Sequence, residues 1–193
     1  MLWDKSGLLQ ICISYLNHNR EFVYKVRGFD SIWDMNRAII NRWNEVVAPD
    51  DDVYVLGDLC LGGAGALQDN KHLIQSLKGN IHIVRGNHDT DARIEMYNEC
   101  WNVVEIENAI YLKYKGYNFY MSHYPTMTAN LEKESLKACT INLYAHTHQK
   151  SNFYNDIPYM YHVGVDSHDC RPVLLDDAIE EMKAKAKECF EQL

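Results

Sequence analysis

The 193-residue chain repeatedly halts a short apolar run on a polar residue of one chemical kind. "DVYVLGD" ends on Asp58, "NIHIVRGNHD" on Asn87, His88 and Asp89, "NAIYLKYKGYNFYMSH" on His123, and "TINLYAHTH" on His146 and His148. Runs this short, rich in β-branched and aromatic residues, read as buried strands. Strand ends that open into loops are where sheet proteins collect functional side chains.

Helical patterns lie between the strands of the first half. In "FDSIWDMNRAIINRWNEVV", Ser31 with Asp34 makes a capping pattern. Ile32, Met35, Ile39, Trp43 and Val46 recur at helical spacing, and Pro49 closes the segment. A glycine-rich loop (Gly62, Gly63, Gly65) precedes a helix with Leu67, Ile74 and Leu77 on one side, and residues 91–98 form another short helix. The second half is mostly strand. Lys115-Gly116 breaks it as a hairpin turn, and "YMYHVGVD" is a further strand. In the closing helix Ile179, Met182, Ala186 and Phe190 share a face, and Glu181 with Lys185 is a favourable pair four residues apart. Alternation followed by a strand-rich half predicts an α+β fold, with sheets packed face to face and helices outside them. Without a repeat or a linker, residues 1–193 read as one domain.

Charge and composition narrow the partners. A net charge of −8 removes any broad attraction for nucleic acid, so long duplex is disfavoured, and an anionic ligand then calls for a local cation. No apolar run approaches the roughly 18 residues of a membrane span, and the charged N-terminus is not a secretory signal, so the expected location is the cytoplasm. Six scattered cysteines without CxxC spacing read as free thiols. The 13 tyrosines read as sheet and core residues, not as a base-stacking platform, because basic residues do not interleave with them.

Asp58, Asn87, His123, His146 and His148 together offer carboxylate, amide oxygen and imidazole, a donor set for Mn, Fe, Zn or Ni that needs no thiolate. Each has an ordinary reading by itself. Gly-Asp is turn chemistry, and the two rings of "HTH" share one strand face as a solvated stripe would. Their order along one chain is what favours metal. His72, His82 and His162 read as structural, while His168 and Asp166 sit in a late loop as candidate substitute ligands.

In these residues the chain resembles the calcineurin-like metallophosphoesterases, in particular small bacterial and phage-type members. Family blocks two to five stand here as "GD" (57–58), "GNHD" (86–89), "SHYP" with His123, and "AHTH" (145–148), with Ala145 for the usual glycine. The spacing of His18, Tyr24, Arg27 and Phe29, "VGVD" at 163–166 and "RPV" at 171–173 also look like this subgroup. The resemblance implies a four-layer αββα arrangement. It implies Asp58 as a bridge between two divalent metals, and a second-metal set of Asp58, Asn87, His123 and His146. It implies His88 as the general acid with Asp89 orienting its imidazole, and His18 and Arg85 facing the phosphate. The first block departs from the pattern. Aligned on His18, "ICISYLNH" puts Ile13 and Tyr15 where the family has a metal-binding Asp and His. The first metal would keep only Asp58 and His148, so one strong site is expected beside a weak or absent one, with Mn favoured.

Two functions follow as expectations. The first is a metal-dependent phosphoesterase acting on a phosphate-ester small molecule or nucleotide. The second is a non-catalytic, metal-binding relative that serves as a binding or scaffold protein.

Overall fold

The computed structural model describes residues 9–12, 16–128 and 135–191. Ile13 and Tyr15 therefore lie outside the described residues. Four parallel strands form most of the first sheet: β1 (Leu9–Cys12), β2 (Asp52–Val55), β3 (Asn80–Val84) and β4 (Val103–Glu107). The two-residue β9 (Val173–Leu174) closes its far edge against β1 and runs antiparallel, giving the order β4-β3-β2-β1-β9. The second sheet has the order β5-β6-β7-β8, built from Ile110–Tyr114, Tyr117–Met121, Thr140–Tyr144 and Met160–His162. Its last three strands are parallel, and β5 is the antiparallel hairpin partner of β6. One apolar core runs through both sheets, from Ile11, Val53 and Ile83 to Phe119, Ile141 and Leu143. The result is the expected mixed fold of two sheets flanked by helices.

The helices follow from local chemistry. Helix α1 (Glu21–Val26) is short, and α2 (Ile32–Val46) starts on Ser31, whose hydroxyl accepts from the Asp34 amide at 3.1 Å and donates to the Asp34 carboxylate at 2.8 Å. Met35, Ile39 and Trp43 are buried as the spacing predicts. Val46 is 37 % exposed and Val47 takes the buried place instead, because the chain leaves the helix there. Helix α3 (Leu67–Gln75) and α4 (Asp91–Asn98) connect the parallel strands, and α5 (Leu175–Glu191) closes the described chain.

The sequence reading needs correcting in a few places. Elements α1, β4 and β9 were not anticipated. Two residues carry no periodicity, six carry little, and β4 has a mixed burial pattern at a sheet edge. Glu181 does not pair with Lys185. It accepts from Asn152 at 2.8 Å and from the Tyr161 hydroxyl at 2.9 Å, while Lys185 meets Asp156 at 2.8 Å. Tertiary partners outcompete a weak helix-surface pair. The hairpin turn is as read, with Lys115 and Gly116 both at positive φ. All six cysteines are free thiols, and no helix among the described residues is long and apolar enough to cross a membrane.

Candidate active site

Parallel strands point their C-terminal ends the same way, so the loops after β2, β3, β6, β7 and β8 gather at one edge of the two sheets. Asp58, Asn87, His123, His146 and Asp166 leave these five ends in turn. Two glycines allow the loops to meet. A Cβ on Gly57, at φ +93°, would stand 2.4 Å from His123 Nδ1, and one on Gly86 would stand 2.2 Å from Asp58 Oδ1. Neither loop tolerates a side chain there.

Three side chains converge on one atom of a fourth. Around His123 Nε2 lie Asn87 Oδ1 at 2.9 Å, His146 Nδ1 at 3.0 Å and Asp58 Oδ2 at 3.3 Å. On its other side the His123 Nδ1–H donates to the Leu56 carbonyl at 2.8 Å, which ties the second sheet to the first and fixes the tautomer. With that proton on Nδ1, His123 Nε2 turns an electron pair toward the Asn87 and Asp58 oxygens, and a cation there relieves the repulsion. Burial pushes His123 down, but the Asp58 carboxylate and the Leu56 carbonyl outweigh it and hold the imidazole above its ordinary value. Burial pushes Asp58 up, but His123 and the His88 amide, which donates to Asp58 Oδ1 at 2.8 Å, hold it below the usual carboxylate value. His146 is lowered by burial and by His123.

The same need is met by a proton or by a divalent ion. Ligands at about 2.0–2.2 Å from one ion stand about 3–3.5 Å from each other, so the mixed O/N set around His123 fits such an ion. Among the described residues, no group of three or more His, Cys, Asp or Glu side chains is so arranged that it could hold a metal ion as it stands. The donors touch one another instead, and one of them is an amide.

Asp89 does not orient the His88 imidazole. It is buried, and its Oδ2 accepts the amides of Asp58 and Gly86, both at 2.8 Å, while Oδ1 accepts the Tyr97 hydroxyl at 2.7 Å. Burial raises its pKa against the pull of these three donors. Its carboxylate locks two strand-end loops together and is spent on doing so. Arg85 is also redirected. Its guanidinium donates to the Asp89 carbonyl at 3.0 Å and to Asp91 at 2.6 Å, and it does not line the cleft. His88 is exposed and does line the cleft.

His148 stands apart from Asp58, Asn87, His123 and His146. Its Nδ1–H donates to Asp166 at 2.9 Å. Both oxygens of Asp166 also accept from Arg27, at 2.8 Å and 3.0 Å, and the Arg27 side chain is only 4 % exposed. Burial pushes Asp166 up, but His148 and Arg27 win and hold it far below the usual range. Asp166 is thus a holder of His148, with its oxygens already engaged, and His168 turns to the His162 carbonyl at 2.9 Å. His18 is buried at the cleft wall and pushed down to about 4 by burial, with Arg27 and His148 adding to the effect. His162 is structural as read, and supports the site from below: its Nε2 bonds the Ala145 carbonyl at 2.9 Å.

Three contributors escaped the sequence reading. Arg93 donates to the carbonyls of both His88 and Gly62, clamping the "GNHD" loop to the glycine loop. Tyr97 holds Asp89. Arg93 and Tyr97 lie four residues apart on α4, a spacing that puts them on one face. Tyr124, half exposed, lays its ring against His123 and His146 at 5.0 and 4.6 Å between centroids.

A cleft of about 900 Å³ opens beside this centre, with His18, His88, His148 and Asp166 in its wall. A family profile described as the calcineurin-like phosphoesterase superfamily domain matches residues 34–164. An uncharacterized protein of Methanocaldococcus jannaschii, MJ1445, is 30% identical over 169 residues, covering 84% of this chain and 84% of its own. The gene 66 protein of Mycobacterium phage D29 is 28% identical over 172 residues, covering 77% of this chain and 83% of its own. Among solved structures, the protein of unknown function AQ665 from Aquifex aeolicus superposes with a TM-score of 0.67 at 19% identity, covering 91% of this chain and 99% of that one. That likeness is one of fold.

Proposed function

The chain belongs to the calcineurin-like phosphoesterase superfamily, and from that membership we propose that it is a metal-dependent hydrolase of phosphate esters, either phosphomonoester or phosphodiester. The observation that carries the reading is the convergence of Asp58, Asn87 and His146 on His123 Nε2 within 2.9–3.3 Å. Those four residues would hold one divalent ion strongly, Mn being favoured over Fe, Zn or Ni. When bound, such an ion supplies Lewis acidity to a phosphoryl oxygen and to water.

The chain's own residues carry the rest. The Leu56 carbonyl keeps the His123 proton on Nδ1 and its other nitrogen toward the ligand set. Asp58 brings the negative charge, and the His88 amide holds its second oxygen. His88, exposed at the cleft wall, would give a proton to the leaving alkoxide oxygen. Asp89, Tyr97 and Arg93 keep that loop rigid. A second ion would have Asp58 and His148 without the usual first-block Asp and His, so it binds weakly or only with substrate.

One reading of the sequence favours a non-catalytic relative instead: aligned on His18, Ile13 and Tyr15 fall where the family has its first-block ligands. The test between the two is hydrolysis of bis(p-nitrophenyl) phosphate by the purified chain, with and without Mn²⁺, beside His88→Ala. Mn²⁺-dependent turnover that vanishes in the variant supports the enzyme. Metal binding without turnover above the variant supports the relative that only binds.

A further inference from the structure

The cleft is far larger than a phosphate group needs. Its volume of about 900 Å³ is near the top of the range of roughly 300–1,000 Å³ that holds a drug-sized ligand. Its charge also runs against that of the whole chain. Arg20, Arg27, Arg42 and Lys150 line it, and so do two carboxylates, Asp166 and Asp169. Both carboxylates are already committed, Asp166 to Arg27 and Asp169 to Arg42 at 3.1 Å. Two cations are left over. Among the described residues, neither Arg20 nor Lys150 meets an acidic partner, and both are exposed.

An apolar surface lines the same cleft. Phe22 and Val26, four residues apart on α1, are 65% and 75% exposed, and both face the cleft. A large aromatic ring left in water beside unpaired cations is the arrangement that single-stranded nucleic acid exploits, with bases stacking on the ring and phosphates following the charge. The tyrosines lack that interleaving, whereas the segment Arg20–Arg27 has it.

We propose that the cleft takes a short single-stranded oligonucleotide, with its scissile phosphodiester at the His123 centre, a neighbouring phosphate on Arg20 and Lys150, and a base against Phe22. This rests on the phosphoesterase reading and names its substrate class. It also explains how a chain of net charge −8 accepts a polyanion: the positive region is local and confined to the cleft.

The test is a fluorescence-anisotropy titration of the full chain with a fluorescein-labelled, 5′-phosphorylated thymidine tetranucleotide. EDTA is present, so binding is read without turnover. Saturable binding is expected. Arg20→Ser with Lys150→Ser should weaken it about tenfold or more and flatten the slope of log K against log salt by about 0.7, the value for one lost phosphate contact on a single strand. Phe22→Ala should weaken it about fivefold or more. Lys113→Ser, an exposed lysine outside the cleft, serves as the charge control. No binding by the unaltered chain, binding that the cleft variants leave unchanged, or an equal loss in the Lys113 variant would each overturn the proposal. Turnover of bis(p-nitrophenyl) phosphate by the unaltered chain is scored separately. Turnover without cleft-dependent oligonucleotide binding overturns this inference alone, and cleft-dependent binding without turnover overturns the hydrolase and the oligonucleotide as its substrate, leaving it as a bound ligand.

Discussion

The carboxylate of Asp89 accepts the backbone amide of Asp58 at 2.8 Å, and the same oxygen accepts the amide of Gly86 at 2.8 Å. A residue of the "GNHD" block is thus the bracket that holds the "GD" block in place. Asp58 sits at φ 53°, an unfavourable backbone for a non-glycine residue, and this bond helps to keep it there.

Asp89→Ala should therefore cost stability more than chemistry. It removes three buried hydrogen bonds and leaves their donors unpaired, a loss of about 2–4 kcal/mol. Arg85→Ala breaks an ion pair whose Asp91 partner is almost fully exposed, and should stay within about 1 kcal/mol. Urea unfolding of both variants checks this. Equal stability of Asp89→Ala and the parent would return Asp89 to a role at the His88 imidazole.

Metal affinity should separate the two histidines of "AHTH". His146 touches His123 Nε2, while His148 is turned to Asp166. Isothermal titration with Mn²⁺ should show at least a roughly tenfold loss for His146→Ala and little change for His148→Ala. Equal losses would show a true two-metal site, with ligands other than those assigned.

Arg27 and Asp166 make a buried, two-pronged pair. Asp166→Ala leaves the guanidinium uncompensated and should cost about 3–5 kcal/mol, whereas Arg27→Met combined with Asp166→Leu should recover much of it. A double-mutant cycle by urea unfolding measures the coupling. Additive losses would show that the two residues do not share their energy.

Stability should fall as the pH drops from about 6.5 to about 4, measured in EDTA. Burial pushes His162 down to about 4 in the folded chain, while an unfolded histidine titrates near 6.5. Between those values the unfolded state binds more protons, so stability rises with pH through the window and is lost on acidification. His18, also pushed down to about 4, adds to it. Below that window the depressed Asp166 and Asp58 continue the loss as they protonate. Urea midpoints at three pH values, with His162→Gln flattening the dependence, provide the check. A flat profile in the parent would contradict it.

The site was legible to the extent that strand ends are legible. "GD", "GNHD", "SHYP" and "AHTH" each follow an apolar run, and parallel strands bring such ends to one edge whatever the details. Their partners were not legible. Asp89 beside His88 reads as an orienting acid, yet its side chain turns inward to two backbone amides and Tyr97. Arg85 precedes the "GNHD" loop and reads as a phosphate ligand, yet Asp91 and the Asp89 carbonyl hold it. Arg27 and Asp166 lie 139 residues apart, and Arg93 acts through carbonyl groups that any residue possesses.

What the sequence determined by itself was the order of the strongly patterned strands and helices and the chemical type at their ends, because periodicity and turn residues act over a few neighbours. It also settled that Ile13 and Tyr15 cannot supply a carboxylate and an imidazole. Only the tertiary structure decided which oxygen faces which nitrogen, which carboxylates are consumed in ion pairs, and that two cations and a phenylalanine share one cleft wall. Those are distances between residues far apart in the chain, and they exist only once two sheets have packed and their loops compete for the same donors.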